Sequence, residues 1–390
     1  MSNVAIQFSR VALSRRRLLL AGAGTFVSAC GGGGGGGGSD GAAGGEGRFT
    51  AVASMRTGRD RPSAVRLSSG RVLVAGGRSS GALTSSAEIF DPASGQWTAA
   101  AAMRTARWAG GNDGFLINLP NGQVLALGGA AELYDPGADT WTPVANTPAA
   151  VGSGGSKTLL KDGRVLLIPG GGTAAYLYDP VGAAWSGVPG FDGRTEHAAA
   201  RLGDGRVLVS GGHGNGSAYL PTALLFDPAN GSWRATGTLR VGRYQHFSFA
   251  LADGRVVVSH GVVSAPTVTD STEIYDAASG TWRAGGDIHK FSPSTSGATG
   301  TLMKDGRFLV AGGATTGSSS PILDQVPQGL LDETNAEWFD STAAVWRRAT
   351  RAPGGLVVPR YGHAAVALDD GSVLLAGGLS GTTSAEIFRG

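Results

Sequence analysis

The sequence predicts an all-β chain in which seven four-stranded blades form a closed β-propeller, and three observations support this fold class. One phrase recurs in near-copies, including SGRVLVAGG at 69–77, DGRVLVSGG at 204–212, DGRVVVSHG at 253–261 and DGRFLVAGG at 305–313. The repeats follow one another at spacings of 41 to 65 residues, a period typical of propellers and arrays. Glycine supplies 67 of the 390 residues without a three-residue period, which indicates many tight turns. One glycine marks the turn of each repeat: Gly70, Gly122, Gly163, Gly205, Gly254, Gly306 and Gly371.

Each repeat divides into four strands. In the fourth repeat, HAAARL at 197–202 and RVLVSGG at 206–212 flank a short turn typical of a β-hairpin. The second strand is apolar on both faces, as expected where sheets stack face to face. A third strand ends in an aromatic residue and aspartate, as in AEIFD at 87–91, and a fourth strand opens with tryptophan. The fourth-strand tryptophans are Trp97, Trp141, Trp185, Trp233, Trp282 and Trp346.

Six such tryptophans for seven repeats leave the last blade without its own fourth strand. The segment GRFTAVASMRTGR at 47–59 aligns without gaps to GQWTAAAAMRTAR at 95–107 and places Phe49 at the tryptophan position. We therefore expect this N-terminal strand to complete the last blade and close the ring. Closure removes the strand edge that an open array would expose.

The double glycines, the aromatic–aspartate strand and the tryptophan at this spacing resemble the kelch repeat over about residues 48–390. The resemblance implies a kelch-type seven-bladed propeller. It says little about function, because kelch propellers perform many different tasks.

Residues 1–29 are interpreted as a secretory signal. A basic cluster precedes a short apolar stretch in SRRRLLLAGAGTFVSAC at 14–30, and this stretch is too short to span a bilayer comfortably. VSAC resembles the bacterial lipobox, which implies cleavage before Cys30 and lipidation of this single cysteine; the alternative is an ordinary signal peptide. SRRRLL resembles the twin-arginine export motif, with a basic region for general secretion as the alternative.

Eight consecutive glycines and the stretch that follows predict a flexible tether over 30–47, since it has few side chains to bury. The tether would hold the propeller, 48–390, just off a membrane to which acyl chains attach it. We expect an exported, lipid-anchored protein of the bacterial cell envelope, in the periplasm or at the cell surface. Gly31 gives no obvious inner-membrane retention signal, which favours the outer membrane.

The formal net charge of +3 does not indicate a nucleic-acid partner. Residues 1–29 carry four arginines and no acid, so the remaining chain has a net charge of −1. We expect a monomer that binds the membrane through Cys30 and takes a protein, peptide or glycan ligand.

Ligand binding is expected on the face that carries the blade-to-blade crossings and the loops between second and third strands. These loops range from almost nothing in blade 2 to an insertion at 314–335 in blade 6, and variable loops on a rigid scaffold often bind ligands. Arginines recur at the ends of the crossings. They could form a partial ring that takes a carboxylate by bidentate hydrogen bonds, or they could bridge neighbouring blades. In kelch adaptors of ubiquitin ligases, arginines at similar positions contact an acidic peptide. The crossing arginines here are Arg59, Arg107, Arg194, Arg243 and Arg360.

Three histidines and one tryptophan accompany the crossing arginines. His197, His246 and His363 each follow an arginine by three residues and are ligand-binding candidates, with packing and hydrogen bonding as the alternative. Trp108 follows Arg107 and could stack on a sugar or peptide. No metal site is predicted, because the histidines come from three blades and no paired carboxylate motif lies near them.

No cofactor and no catalytic residues are predicted. In galactose oxidase, a kelch enzyme, copper chemistry depends on a tyrosine cross-linked to cysteine, and here Cys30 lies in the predicted signal region. GGHGNG at 211–216 follows a strand and opens no helix, so it does not predict a nucleotide-binding loop. The favoured function is a surface-tethered ligand- or protein-binding scaffold. The alternative is a carbohydrate-modifying enzyme, resembling sugar epimerases or mutarotases, that uses the central funnel.

Overall fold

The structure, a computed structural model, describes residues 47–110, 114–128, 130–148, 154–214, 219–264, 267–288, 297–313, 336–348, 356–378 and 381–390. In these ranges the chain is all-β, with seven four-stranded antiparallel sheets and two two-stranded hairpins. No helix that could cross a membrane occurs among the described residues. The predicted signal at 1–29, the tether apart from Gly47, and the insertion at 314–335 lie outside these ranges.

The sheets are the blades of a propeller, numbered here by their first strand in chain order. Blade 1 contains β2 (Ser63–Arg66), β3 (Val72–Ala75), β6 (Ala87–Asp91) and β7 (Gln96–Ala100), with hairpin β4 (Arg78–Ser79) and β5 (Ala82–Leu83) between β3 and β6. Blade 2 contains β8 (Leu116–Asn118), β9 (Val124–Ala126), β10 (Glu132–Asp135) and β11 (Thr140–Pro143). Blade 3 contains β12 (Ser156–Leu159), β13 (Val165–Ile168), β14 (Ala175–Asp179) and β15 (Ala184–Val188), and blade 4 contains β16 (Ala198–Arg201), β17 (Val207–Ser210), β18 (Ala223–Asp227) and β19 (Ser232–Thr236).

The remaining blades repeat this meander. Blade 5 contains β20 (Phe247–Ala250), β21 (Arg255–Ser259), β24 (Thr272–Asp276) and β25 (Thr281–Ala284), with hairpin β22 (Val262–Ser264) and β23 (Thr267–Val268). Blade 6 contains β26 (Thr299–Leu302), β27 (Phe308–Ala311), β28 (Ala336–Asp340) and β29 (Val345–Arg348). Blade 7 contains β30 (Ala364–Ala367), β31 (Val373–Ala376), β32 (Ala385–Arg389) and, from the other end of the chain, β1 (Arg48–Val52).

The N-terminal strand closes the ring, which confirms the prediction. β1 pairs with β32 in antiparallel register, and Phe49 lies opposite Phe388. Their ring centroids are 4.9 Å apart, and the equivalent Phe90–Trp97 pair of blade 1 has a separation of 5.0 Å. Phe49 therefore takes the tryptophan position of blade 7, and both phenylalanines are buried.

The second strand of each blade packs against a neighbour on both sides. All residues of Val72–Ala75, Val165–Ile168 and Val207–Ser210 are buried. Burial of one aliphatic side chain contributes about 1.5–3 kcal/mol, so this stacking is a main source of stability. The fourth-strand tryptophans add links, since Trp97 Nε1 donates to the Ala53 carbonyl oxygen beyond β1 at 2.7 Å. Equivalent bonds join Trp141 to Ala101, Trp185 to Ala145 and Trp282 to Gly237.

The paired glycines after β3 let two blades approach closely. Gly76 has a φ of 67°, and a Cβ there would lie 2.4 Å from the Arg107 carbonyl oxygen. The Gly77 N–H donates to that same oxygen at 2.8 Å. In blade 5, His260 takes the position of the first glycine with a φ of 62°, and its ring packs edge-on against Trp346 at 5.5 Å. The first-glycine position thus carries a side chain in blade 5. The crossing that follows, which leads into blade 6, has no arginine.

The first strands of the blades surround the central channel. β2 contacts β8 on one side and β30 on the other, and β16 contacts β12 and β20. The crossings that lead into these strands therefore end at one mouth of the channel. We call this side the crossing face; the opposite side, with the turns between first and second strands, is the turn face.

Candidate functional site

The five crossing arginines are buried between blades. Arg59, Arg194 and Arg243 have no exposed surface, while Arg360 is 2% and Arg107 is 6% exposed. Each lies at the end of a crossing, shortly before the first strand of the blade that follows. Their position in the ring is the predicted one, but their guanidinium groups point into protein.

Arg59 shows how these side chains are held. Its Nη1 donates to the carbonyl oxygens of Gly76 and Ser86 at 3.0 and 2.8 Å, and its Nη2 donates to Glu88 Oε1 at 3.1 Å. Its own carbonyl oxygen accepts the Gly378 N–H of the preceding blade at 2.8 Å. Burial lowers the pKa of Arg59, and the hydrogen bond to Glu88 opposes this shift. Arg59 therefore fastens its crossing to two blades at once.

A glutamate at the start of the third strand completes this arrangement. Glu88 is 2% exposed and also accepts the backbone N–H groups of Arg56 at 2.7 Å and Thr57 at 3.0 Å. A buried carboxylate needs charge and hydrogen-bond partners, and here one crossing supplies all of them. The same ion pair joins Arg107 to Glu132, Arg243 to Glu273 and Arg360 to Glu386.

Sequence reasoning missed these glutamates, although AE or TE opens the third strand in several repeats. Blade 4 departs from the pattern: Leu224 occupies the glutamate register, and Arg194 Nε instead donates to Asp192 Oδ1 of its own crossing at 2.8 Å. Blade 3 has Tyr176 at this register and no crossing arginine. The acid at this register pairs with a crossing arginine in blades 1, 2, 5 and 7. Blade 6 also has an acid there, Glu337, although the crossing that leads into it has no arginine.

Ligand binding by the crossing arginines stays a prediction. Their geometry matches the alternative in which they bridge neighbouring blades, because Arg59 and Arg243 donate to backbone carbonyls and to buried glutamates. A ligand that used these guanidinium groups would have to displace internal hydrogen bonds at a buried position.

The three predicted histidines also link blades. His197 Nε2 lies 2.8 Å from Ser156 Oγ, and His246 Nε2 lies 3.0 Å from Ser210 Oγ. In both pairs the hydroxyl belongs to the preceding blade. This geometry matches the alternative in which the histidines form hydrogen bonds within the protein and do not bind a ligand. The third pair joins His363 Nε2 to Thr299 Oγ1 at 2.7 Å.

Burial favours the neutral form of these imidazoles. Burial, followed by the charge of the neighbouring arginine, lowers the pKa of His197 to about 4 and that of His363 to about 3. The same causes lower the pKa of His260 to about 3 and place that of His246 well below its ordinary value.

We expect the free energy of unfolding to fall as the pH drops below about 6.5, because the unfolded chain then binds protons on histidine. Folded His197 resists protonation down to a pKa of about 4, and His363 down to about 3. Stability present above pH ~6.5 is lost on acidification, by about 1 kcal/mol per histidine per pH unit. Urea-unfolding midpoints between about pH 7.5 and 5 measure this loss, and His363→Gln should reduce its slope. A midpoint that did not change over this range would contradict the prediction.

Trp108 lies at the channel mouth with two arginines against its indole. Arg78 Cζ is 4.2 Å and Arg61 Cζ is 4.9 Å from the ring centroid, and all three side chains are half-buried. The predicted stacking of a sugar or peptide on Trp108 stays a prediction. Sequence reasoning did not single out Arg61 or Arg78, since no local pattern shows that they meet this indole.

Backbone hydrogen bonds join successive crossings around the channel mouth. The Arg61 N–H donates to Gly362 O at 2.7 Å, and the Ala109 N–H donates to Arg61 O at 2.9 Å. Farther around the ring, the Gln245 N–H donates to Glu196 O at 2.9 Å. Arg61, Glu196 and Gln245 have φ values of 50°, 55° and 52°, a region that non-glycine residues seldom adopt. These bonds hold the mouth in a fixed shape.

A second cluster on the crossing face belongs to blades 4 and 5. The ring centroids of His213 and Tyr244 are 3.9 Å apart, and those of Tyr219 and Tyr244 are 5.4 Å apart. Gln245 Nε2 donates to Glu196 Oε1 at 2.6 Å beside them. Burial, with the Glu196 charge as a second cause, raises the pKa of Tyr244. The mouth thus has a cationic group at blades 1 and 2 and an acidic, aromatic group at blades 4 and 5.

Comparisons with known proteins agree with this architecture. The kelch motif matches residues 61–104, which span blade 1. No curated protein matches the chain. Among solved structures, a fungal alcohol oxidase of the AA5 family, in complex with copper, aligns with a TM-score of 0.69 at 17% identity, over 88% of this chain and 76% of that one. At this identity the likeness shows the fold alone.

The usual metal-binding side chains do not cluster in the described ranges. No group of three or more His, Cys, Asp or Glu side chains within those ranges could hold a metal ion. The buried histidines bond to hydroxyls, and the glutamates that pair with crossing arginines also accept backbone N–H groups, as Glu88 does. These groups therefore serve the contacts between blades.

Proposed function

We propose that the chain, a kelch-type β-propeller, is an exported binding or scaffold module attached to a bacterial membrane through a lipid on Cys30. It engages a protein, peptide or glycan through the crossing face. The kelch motif and the seven-bladed ring support a binding or scaffold role in this general form. The signal, lipobox and tether features of residues 1–47 support the location in the cell envelope.

The main support for the proposal is that arginines are paired with aspartates on the turn face and that two arginines on the crossing face are not. On the turn face, arginines pair with aspartates of their own turns, as Arg206 Nη2 does with Asp204 Oδ2 at 2.7 Å. On the crossing face, no carboxylate of the described residues lies within 4.0 Å of the guanidinium groups of Arg61 and Arg78. Arginine and tryptophan on a rigid surface are enriched at sites that dominate binding. The turn face repeats its pairing at Arg164–Asp162, Arg255–Asp253 and Arg307–Asp305.

The alternative, a carbohydrate-modifying enzyme, has less support. Such an enzyme would place a titratable group with a shifted pKa in the funnel. His197, His246 and His363 have lowered pKa values, but they bond to hydroxyls between blades.

Blocking one face at a time tests the proposal. With Cys30→Ser the chain has no cysteine, so one new cysteine can carry a bulky polyethylene glycol label. Ser80 on the crossing face and Ser69 on the turn face are both exposed and are matched positions. Glycan and peptide arrays should retain the unlabelled protein, and a label at position 80 should weaken retention by at least about tenfold. The label at position 69 should leave retention unchanged.

Two results would contradict the proposal. Retention that survives a label at Ser80 and is lost with a label at Ser69 would move the binding surface to the turn face. Arrays that retain no protein at all would contradict a peptide- or glycan-binding role.

A further inference from the structure

The crossings carry different side chains at equivalent positions of the channel mouth. In each crossing that contains an arginine, the residue two positions later lies beside the first strand of the blade that follows. One of these five residues is an acid, and it stands before blade 4. In blades 1, 2, 4, 5 and 7 the position holds Arg61, Ala109, Glu196, Gln245 and Gly362.

The carboxylate of Glu196 has one hydrogen-bond donor and no cationic partner. Gln245 Nε2 donates to Oε1 at 2.6 Å, and no arginine, lysine or histidine of the described residues has a nitrogen within 4.0 Å of either oxygen. Glu88 differs, since it is buried and lies 3.1 Å from Arg59 Nη2. Glu196 is half-buried, so water screens its charge less than at a fully exposed position. This carboxylate therefore attracts a cation from outside the chain.

Aromatic rings lie beside this carboxylate. The ring centroids of His213 and Tyr244 are 3.9 Å apart, and the rings of Tyr219 and Tyr244 stack at 5.4 Å with an interplanar angle of 27°. The Tyr244 hydroxyl and the buried Nε2 of His213 have no hydrogen-bond partner in the described ranges. Burial, followed by the Glu196 charge, raises the pKa of Tyr244, in agreement with the closeness of the two groups. Aromatic faces attract cations, so the rings and the carboxylate favour the same ligand charge.

Backbone hydrogen bonds hold this cluster in place. Thr195 and His213 exchange two such bonds of 2.9 and 2.8 Å, and Tyr244 and Val262 exchange two of 3.1 and 3.0 Å. Glu196 follows Thr195 directly, so its backbone is fixed with that pair. The carboxylate and the Tyr244 ring are thus positioned before any ligand arrives, which lowers the ordering cost of binding.

We propose that Glu196 and Tyr244, together with Tyr219, form a binding site for the ammonium group of a lysine side chain of a peptide or protein partner. The inference rests on the proposed function, in which the crossing face binds ligands. The ammonium donates to the Glu196 oxygen that Gln245 leaves without a donor and to the Tyr244 hydroxyl oxygen. Lysine suits this site because its compact charge has three separate N–H donors, whereas the planar arginine fork needs two parallel oxygens.

Titration of the chain with isotope-labelled tyrosine rings, followed by NMR, tests the site. The chain has seven tyrosines, and the single variants Tyr219→Phe and Tyr244→Phe assign the two signals of interest. The probe is Nα-acetyl-lysine methylamide, and its Nε-acetylated form supplies the same side chain without the charge. We expect saturable shifts of the Tyr219 and Tyr244 signals with the lysine probe. The Nε-acetylated form should bind at least about tenfold more weakly and the corresponding arginine derivative at least about threefold more weakly.

Variants separate the charge from the rings. Glu196→Gln keeps the shape and an acceptor for Gln245, so it should weaken lysine binding by about tenfold and leave the unfolding temperature unchanged. Asp270→Asn, at an exposed acid of blade 5 on the same face, is the matched control and should bind like the unaltered chain. Tyr219→Leu should weaken binding by about threefold, because it removes one ring from the cation.

Three results would overturn the lysine site. The first is unaltered binding by Glu196→Gln, and the second is an equal loss in Asp270→Asn. The third is binding of the Nε-acetylated probe or of the arginine derivative as tightly as the lysine probe.

The two proposals can fail separately. If a label at Ser80 blocks array binding but the lysine probe causes no shifts, the crossing face binds ligands by other contacts and the lysine site is wrong. If the lysine probe binds at Glu196 while the arrays retain nothing, the site is supported and the broader binding role is contradicted.

Discussion

Replacement of Glu88 by glutamine is expected to lower the free energy of unfolding by about 3 kcal/mol, the cost of breaking a buried ion pair. Arg59 would stay buried without its carboxylate, and one amide oxygen would replace two oxygens that accept from Arg59, Arg56 and Thr57. Urea unfolding, followed by tryptophan fluorescence near neutral pH, measures the loss.

Asp204→Asn is the matched control for this variant. Asp204 pairs with Arg206 in a turn where the two side chains are 47% and 32% exposed. Exposed ion pairs contribute less than about 1 kcal/mol, so this substitution should change the midpoint little. An equal loss in the two variants would contradict the conclusion that the buried pair holds the crossing in place.

Truncation of Phe49 to alanine is expected to cost about 3–5 kcal/mol, because it opens a cavity in the strand that closes the ring. The Phe49 side chain is buried and packs on Phe388. Thr50→Ala, on the exposed side of the same strand, is the control and should be within about 0.5 kcal/mol of the unaltered chain. Equal midpoints for the two variants in urea would contradict ring closure through this pair.

Deletions extend this test to the whole strand. A chain that lacks residues 1–46 keeps β1 and should unfold like the full chain. A chain that lacks 1–53 exposes the edge of β32 and should aggregate or associate, which light scattering detects. A stable, monomeric chain without 1–53 would show that the ring does not need this strand.

The fold could be predicted because its determinants are local and repeated. The strand–turn–strand phrase and the tryptophan occur in nearly every blade, so their spacing gives the number of blades. The alignment of 47–59 with 95–107 predicts that the N-terminal strand closes the ring, and β1 pairs with β32 as that alignment requires.

The roles of the charged residues could be predicted only in part. The recurrence of Arg59 and its equivalents is visible in the sequence, but its partner Glu88 stands 29 residues later, and only the pairing of β3 with β6 brings the carboxylate to the crossing. The cluster around Trp108 depends on the junction of two crossings and one hairpin. It occurs at one place in the described ring, so no repeated pattern marks it.

Arg59 and Arg61 stand two residues apart, but Arg59 is buried between blades and Arg61 is half-buried at the channel mouth, so their glutamine variants give the most direct test of the role of the crossing arginines. Thermal unfolding and retention on glycan and peptide arrays are to be measured on the same preparations. We expect Arg59→Gln to lower the unfolding temperature and to be retained like the unaltered chain below it. We expect Arg61→Gln to unfold like the unaltered chain. Unchanged stability together with lost retention in Arg59→Gln would make the crossing arginines ligand-binding residues and would contradict their assignment as links between blades.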